Sequence, residues 1–106
     1  MIAWLLVLLG GLGAQQAASA PKPRTHTVEI RGMAFEPAVD TVAVGDTIIW
    51  VNRDIVPHTA TASGHTKWDT GQIRQGQTGR YVATQRGEAR YVCSLHPTMH
   101  GRLVIR

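Results

Sequence analysis

From Thr25 onward the apolar residues fall into short runs of period two, each bounded by turn residues. Val28 and Ile30 alternate with Glu29 and Arg31, Val42 and Val44 alternate with Thr41 and Ala43, and Thr47 to Asn52 is a β-branched and aromatic run. Arg80 to Ala83, Arg90 to Cys93 and Arg102 to Ile105 follow the same rule. Successive side chains of a strand point to opposite faces, so this period marks strands with one buried face. Gly32, Pro37, Gly45-Asp46, Gly64, Gly71, Gly76, Gly79 and Gly87 interrupt the chain too often for an amphipathic helix to develop. The pattern predicts an all-β domain, a β-sandwich or closed barrel of many short strands. With 106 residues, there is room for one such domain and not for two.

Ahead of these strands, Met1 to Ala14 is almost entirely apolar, and Gln15 to Ala20 are small or polar before the first charge at Lys22. The apolar run is shorter than the 18 to 20 or so residues a spanning helix needs. Ala18-Ser19-Ala20 fits a small-x-small cleavage pattern, so residues 1–20 read as a secretory signal peptide and 21–106 as the mature domain. This places the product in the periplasm as a soluble monomer with no membrane span. The single cysteine excludes an intrachain disulfide, so an exported domain this small calls for another staple, such as a metal. The formal charge of +4 is carried mostly by scattered arginines, which argues against a nucleic-acid face and leaves acidic proteins or membrane headgroups as candidate partners.

Strand parity locates the chemistry. With Arg90 outward, Tyr91 and Cys93 share the inner face, and Cys93 ends its strand as the chain turns into Ser94-Leu95-His96-Pro97-Thr98-Met99. The spacing C-x2-H-x2-M can wrap three side chains around one small cation. Of the five histidines, His58 is the best fourth donor, because it opens the run His58-Thr59-Ala60-Thr61-Ala62 and a strand starting there carries its imidazole to the same pole. A thiolate, two imidazoles and a thioether form the soft donor set of blue-copper electron-transfer sites. A cysteine hydrolase needs an activating base and an oxyanion hole on a larger scaffold, and structural zinc sites lack thioether donors, so the chain reads as no enzyme. Met33, Phe35 and Trp50 read as core residues, and His26, His65 and His100 as solvated ones.

Three segments carry a family resemblance: Gly45-Asp46-Thr47-Ile48-Ile49-Trp50-Val51-Asn52, Val56-Pro57-His58-Thr59, and Arg90-Tyr91-Val92-Cys93-Ser94-Leu95-His96-Pro97-Thr98-Met99. Together they resemble the cupredoxins, and the short spacer between His96 and Met99 is most similar to that of the amicyanin branch. The resemblance implies a Greek-key β-sandwich holding one type 1 copper ion, with His58, Cys93 and His96 equatorial and Met99 axial. It also implies a single-electron carrier working between redox proteins, of which a dehydrogenase and a c-type cytochrome are candidates; a periplasmic copper carrier or resistance protein is the alternative. One position departs from the pattern: Thr59 stands where amicyanin-like chains commonly have Asn. Its backbone N–H is expected to reach the Cys93 sulfur, and its hydroxyl to reach Ser94 in place of the missing amide.

Overall fold

The computed structural model describes residues 21–106 as one continuous stretch. Eight strands follow in order: β1 (Thr25–Arg31), β2 (Ala34–Glu36), β3 (Val39–Val42), β4 (Thr47–Asn52), β5 (Thr61–Ala62), β6 (Thr78–Val82), β7 (Gly87–Cys93) and β8 (His96–Ile105). They form two four-stranded sheets, ordered β2-β1-β4-β6 and β3-β8-β7-β5. The pairs β1/β4 and β3/β8 are parallel, and the other pairings are antiparallel. The chain changes sheet at Pro37–Ala38, between β2 and β3. The proposed signal peptide lies outside the described residues, among which no helix is long and apolar enough to cross a membrane.

The period-two runs explain how the sheets close on one another. Val28 and Ile30 of β1 and Ile48 and Trp50 of β4 are wholly buried from one side; Ala89, Tyr91 and Cys93 of β7 and Leu103 and Ile105 of β8 meet them from the other. Burying each large apolar side chain contributes about 1.5–3 kcal/mol, so this layer drives the packing. Aromatic rings fill its centre. Tyr91 stands edge-on to Phe35 and Trp50, with centroids 4.8 and 5.3 Å apart, and Trp68 stacks between Trp50 (5.6 Å) and Tyr81 (4.2 Å).

Four local expectations need correction. Val44 does not extend β3 inward; it sits in the turn before β4 and is exposed, because the chain must reverse at Gly45, whose φ is +95°. Met33 is not core. It occupies the β1–β2 hairpin turn, where it and Gly32 have φ of +60° and +61°, the two left-handed positions of a two-residue type I′ turn closed by Arg31 and Ala34. The run from His58 is no strand at its start: His58 makes an isolated bridge to Ile73, and β5 covers only Thr61–Ala62. His26 is half-buried and bonded, since its Nε2–H donates to Asp46 Oδ2 at 2.8 Å. His65 and His100 are exposed, as expected.

Asp46 ties the N-terminal segment to the turn before β4. Its carboxylate accepts the N–H of Arg24 and that of Ala43, both at 2.9 Å, besides the His26 ring. Those backbone donors, with His26 behind them, hold its pKa down to about 2 from 3.8. A carboxyl whose folded pKa lies below its unfolded value adds stability above the unfolded pKa and loses it as pH falls through the folded one. Chemical denaturation between pH about 5 and about 2 is therefore expected to show falling stability, and Asp46→Asn to flatten that part of the curve. An equally steep fall in the variant would place the acid sensitivity elsewhere.

Candidate metal centre

The site is assembled by one hairpin and one loop. Cys93 ends β7, only Ser94 and Leu95 form the turn, and His96 already opens β8 opposite Cys93. A register shift follows: Cys93 faces His96 but Val92 faces His100, so Pro97, Thr98 and Met99 have no partner in the ladder and the loop expected through Met99 takes the form of a bulge in β8. A bulge of this kind turns a strand end, here keeping Cys93 buried while His96 reaches towards it. Met99 lies three residues further along β8 and is 4% exposed, its side chain in the core cluster.

The second imidazole comes from the loop after β4. The His58 backbone exchanges two hydrogen bonds with Ile73, His58 N–H to Ile73 O at 3.1 Å and Ile73 N–H to His58 O at 2.7 Å. Asn52, wholly buried, shapes the loop: its side-chain amide donates to the carbonyls of Val56 and Ile73, both at 2.8 Å, and its Oδ1 accepts Asp54 N–H at 2.8 Å. The His58 imidazole is thereby fixed inside the protein at 0% exposure.

These elements bring His58, Cys93 and His96 together, with one ligand atom of each lying within 4.8 Å of the others. Cys93 Sγ is 3.7 Å from His58 Nδ1 and 3.6 Å from His96 Nδ1. The two rings are 4.9 Å apart at 57°. One thiol carries one proton and cannot satisfy two imidazole nitrogens at nearly equal range, whereas a shared cation can. A first-row ion bonded to sulfur at about 2.3 Å and nitrogen at about 2.0 Å, in a trigonal plane, separates those atoms by roughly 3.7 Å. The residues thus fit such an ion. His58 and Cys93 are buried while His96 is only half-buried, so the centre lies close beneath the surface at one ligand.

Thr59 does what the sequence suggested. Its N–H donates to Cys93 Sγ at 3.3 Å, its Oγ1 accepts Ser94 N–H at 2.8 Å, and it lies 3.0 Å from Ser94 Oγ. The hydroxyl thus ties the loop of His58 to the turn after Cys93. Sequence reasoning missed Asn52 and Asp54. Asp54 Oδ2 accepts His58 Nε2–H at 2.9 Å, and the carboxylate also accepts Gly32 N–H at 2.7 Å and Met33 N–H at 2.9 Å. Partial burial pushes the Asp54 carboxyl up, but the Met33 and Gly32 N–H groups and the His58 ring together hold it below the usual range. The one available signal was an acid four residues before a candidate ligand, which outside a helix implies no contact.

Comparison with known proteins agrees with this geometry. Residues 24–106 match the copper binding proteins of the plastocyanin/azurin family. The chain belongs to that family, and copper is the metal its His58, Cys93 and His96 are positioned to bind. Within the family it is similar to the amicyanins. It is 32% identical to amicyanin of Paracoccus denitrificans over 82 residues, which cover 74% of this chain and 63% of that one. It is 27% identical to amicyanin-alpha of Methylorubrum extorquens over 97 residues, 88% of this chain and 82% of the other. The fold superposes on an oxidised amicyanin variant with a TM-score of 0.73 at 28% identity, covering 84% of this chain and 88% of that one. It matches part of a copper-containing nitrite reductase from Thermus scotoductus nearly as well, at a TM-score of 0.72 and 30% identity, covering 85% of this chain but 24% of the enzyme.

Proposed function

We propose that this protein is a single-electron carrier whose copper ion is held by His58, Cys93 and His96, with Met99 as the weak fourth donor. The observation that carries the reading is the convergence of one buried thiol and two imidazole Nδ1 atoms, at 3.6 and 3.7 Å from the sulfur, within an all-β frame. Copper bound there supplies a one-electron couple. Cys93 gives a thiolate that serves both oxidation states, and the Thr59 N–H fixes the direction of its lone pairs. Ile73 and Asn52 hold the His58 backbone against displacement, so little nuclear rearrangement accompanies a change of charge.

His96 is the point of exchange. It alone of the three is half-exposed, and exposed apolar side chains, Leu95 beside it and Ile55 and Val56 on the His58 loop, suit brief docking of a redox protein. We take the partners to be a dehydrogenase and a c-type cytochrome in chemical class, with acidic surfaces complementary to the formal charge of +4. The apolar stretch from Met1 to Ala14 supports export to the periplasm, with residues 1–20 as the signal and 21–106 as the carrier domain.

Copper loading followed by mild reduction and reoxidation tests the function. Intense blue absorption that bleaches and returns supports the carrier. A protein that binds only Cu(I) and stays colourless would instead be a copper carrier or resistance protein. The thioether makes a separate prediction: Met99→Gln is expected to keep copper and lower the reduction potential, because an oxygen donor favours Cu(II) over Cu(I). Voltammetry checks it, and an unchanged potential would remove Met99 from the ligand set.

A further inference from the structure

We propose that Asp54 is a positioning residue that fixes the tautomer and donor strength of His58, and that the Gly32–Met33 turn holds Asp54 in place for this role. The inference rests on reading His58 as a copper ligand. An ionised carboxylate only accepts hydrogen bonds, so the 2.9 Å contact requires His58 Nε2 to carry the ring proton. Nδ1, which faces Cys93 Sγ at 3.7 Å, is then the unprotonated nitrogen and presents its lone pair to the site before any metal arrives. Once a cation is bound, the same carboxylate strengthens the imidazole as a donor, as outer partners of metal-bound histidines do.

The turn is built to serve this carboxylate. Met33 has φ of +60°, a region that side-chain-bearing residues seldom occupy, and that conformation lets two consecutive N–H groups reach one acceptor. Gly32 N–H bonds Oδ1 at 2.7 Å and Met33 N–H bonds Oδ2 at 2.9 Å, while Asn52 Oδ1 fixes the Asp54 backbone at 2.8 Å. The β1–β2 hairpin belongs to one sheet, and Cys93 and His96 belong to the other. Asp54 is therefore the link through which a turn of the first sheet bears on a ligand set anchored in the second.

The test compares the copper-loaded full chain with Asp54→Asn, and with Glu88→Gln as a control that removes a remote negative charge. Loss of the carboxylate weakens donation to Cu(II) more than to Cu(I). The expected result is an upward shift of the potential by about 59 mV, a tenfold change in relative affinity for a one-electron couple, with copper retained and the control unmoved. Equal shifts in both variants, or none in Asp54→Asn, would overturn the proposal while the blue colour of the wild type upheld the copper reading; a colourless wild type would instead reject the copper reading itself. Should Asp54→Asn fail to fold, nitrogen NMR of the metal-free wild type decides. A single His58 tautomer protonated at Nε2 supports the role of Asp54, and protonation at Nδ1 or exchange between the two refutes it.

Discussion

Cys93→Ser protein is expected to remain folded, to lose the blue colour entirely in the presence of Cu(II), and to bind copper more than about 100-fold less tightly. Losing an outer partner of a metal ligand already costs about 10- to 100-fold, and here a ligand itself is lost. Serine presents a hydroxyl that stays protonated at neutral pH and has no sulfur orbital from which charge can pass to the metal. The fold survives for a local reason. The Thr59 N–H that meets Cys93 Sγ at 3.3 Å still finds an oxygen acceptor, and the substitution leaves no cavity larger than the difference between sulfur and oxygen. A net change near one hydrogen bond, about 1 kcal/mol, is the expected cost to the metal-free protein. Absorption spectroscopy and thermal denaturation of the metal-free variant check the two halves separately. A blue Cys93→Ser protein would remove the cysteine from the centre.

Gly101→Ala is expected to be the most destabilising of the small substitutions. Gly101 lies on β8 directly opposite Tyr91 of β7, and a Cβ there would meet the Cζ, Cε2 and Oη atoms of Tyr91, well inside van der Waals contact. Its backbone is not left-handed, so the requirement for glycine is purely one of space. The ring has nowhere to go: Phe35 and Trp50 pack edge-on against it, and Trp68 lies 5.8 Å away. Overpacking of this kind costs about 1–3 kcal/mol or more, and in a domain of this size each kcal/mol lowers Tm by roughly 4–8 °C. Adding Tyr91→Leu should restore part of the loss, because the two changes share one volume and cannot be additive. A single variant as stable as the wild type would mean that the β7–β8 ladder shifts to admit the methyl group.

The faces of the strands were legible because period two is a local signal that burial then enforces. Arg90 outward placed Tyr91 and Cys93 inward, and both are wholly buried. The nearness of His96 to Cys93 was legible for a related reason, since a hairpin brings nearby residues together whatever the rest of the fold does. What escaped depends on contacts across the sandwich. Nothing near His58 in sequence announces that Ile73 will pair with its backbone, or that Asp54 will find two N–H groups 21 and 22 positions earlier. Met33 was misread on hydrophobicity alone, where a turn requirement decides its place. His26 reads as solvated in the sequence because its partner, Asp46, lies 20 residues away and reaches it only once β1 and β4 pair in parallel.

The strand order has a consequence for folding. β8, the last strand of the chain, is an interior strand of its sheet, paired to β7 on one side and to β3 on the other. Its first residue, His96, faces Cys93 at the end of β7. Until β8 is seated, the sheet that carries the Cys93 thiol has a gap between β3 and β7, and His96 has no fixed place beside the sulfur. Seating β8 closes that sheet and brings His96 up to Cys93 in one event, so the thiol and the two imidazoles converge only when this gap in the sandwich is filled.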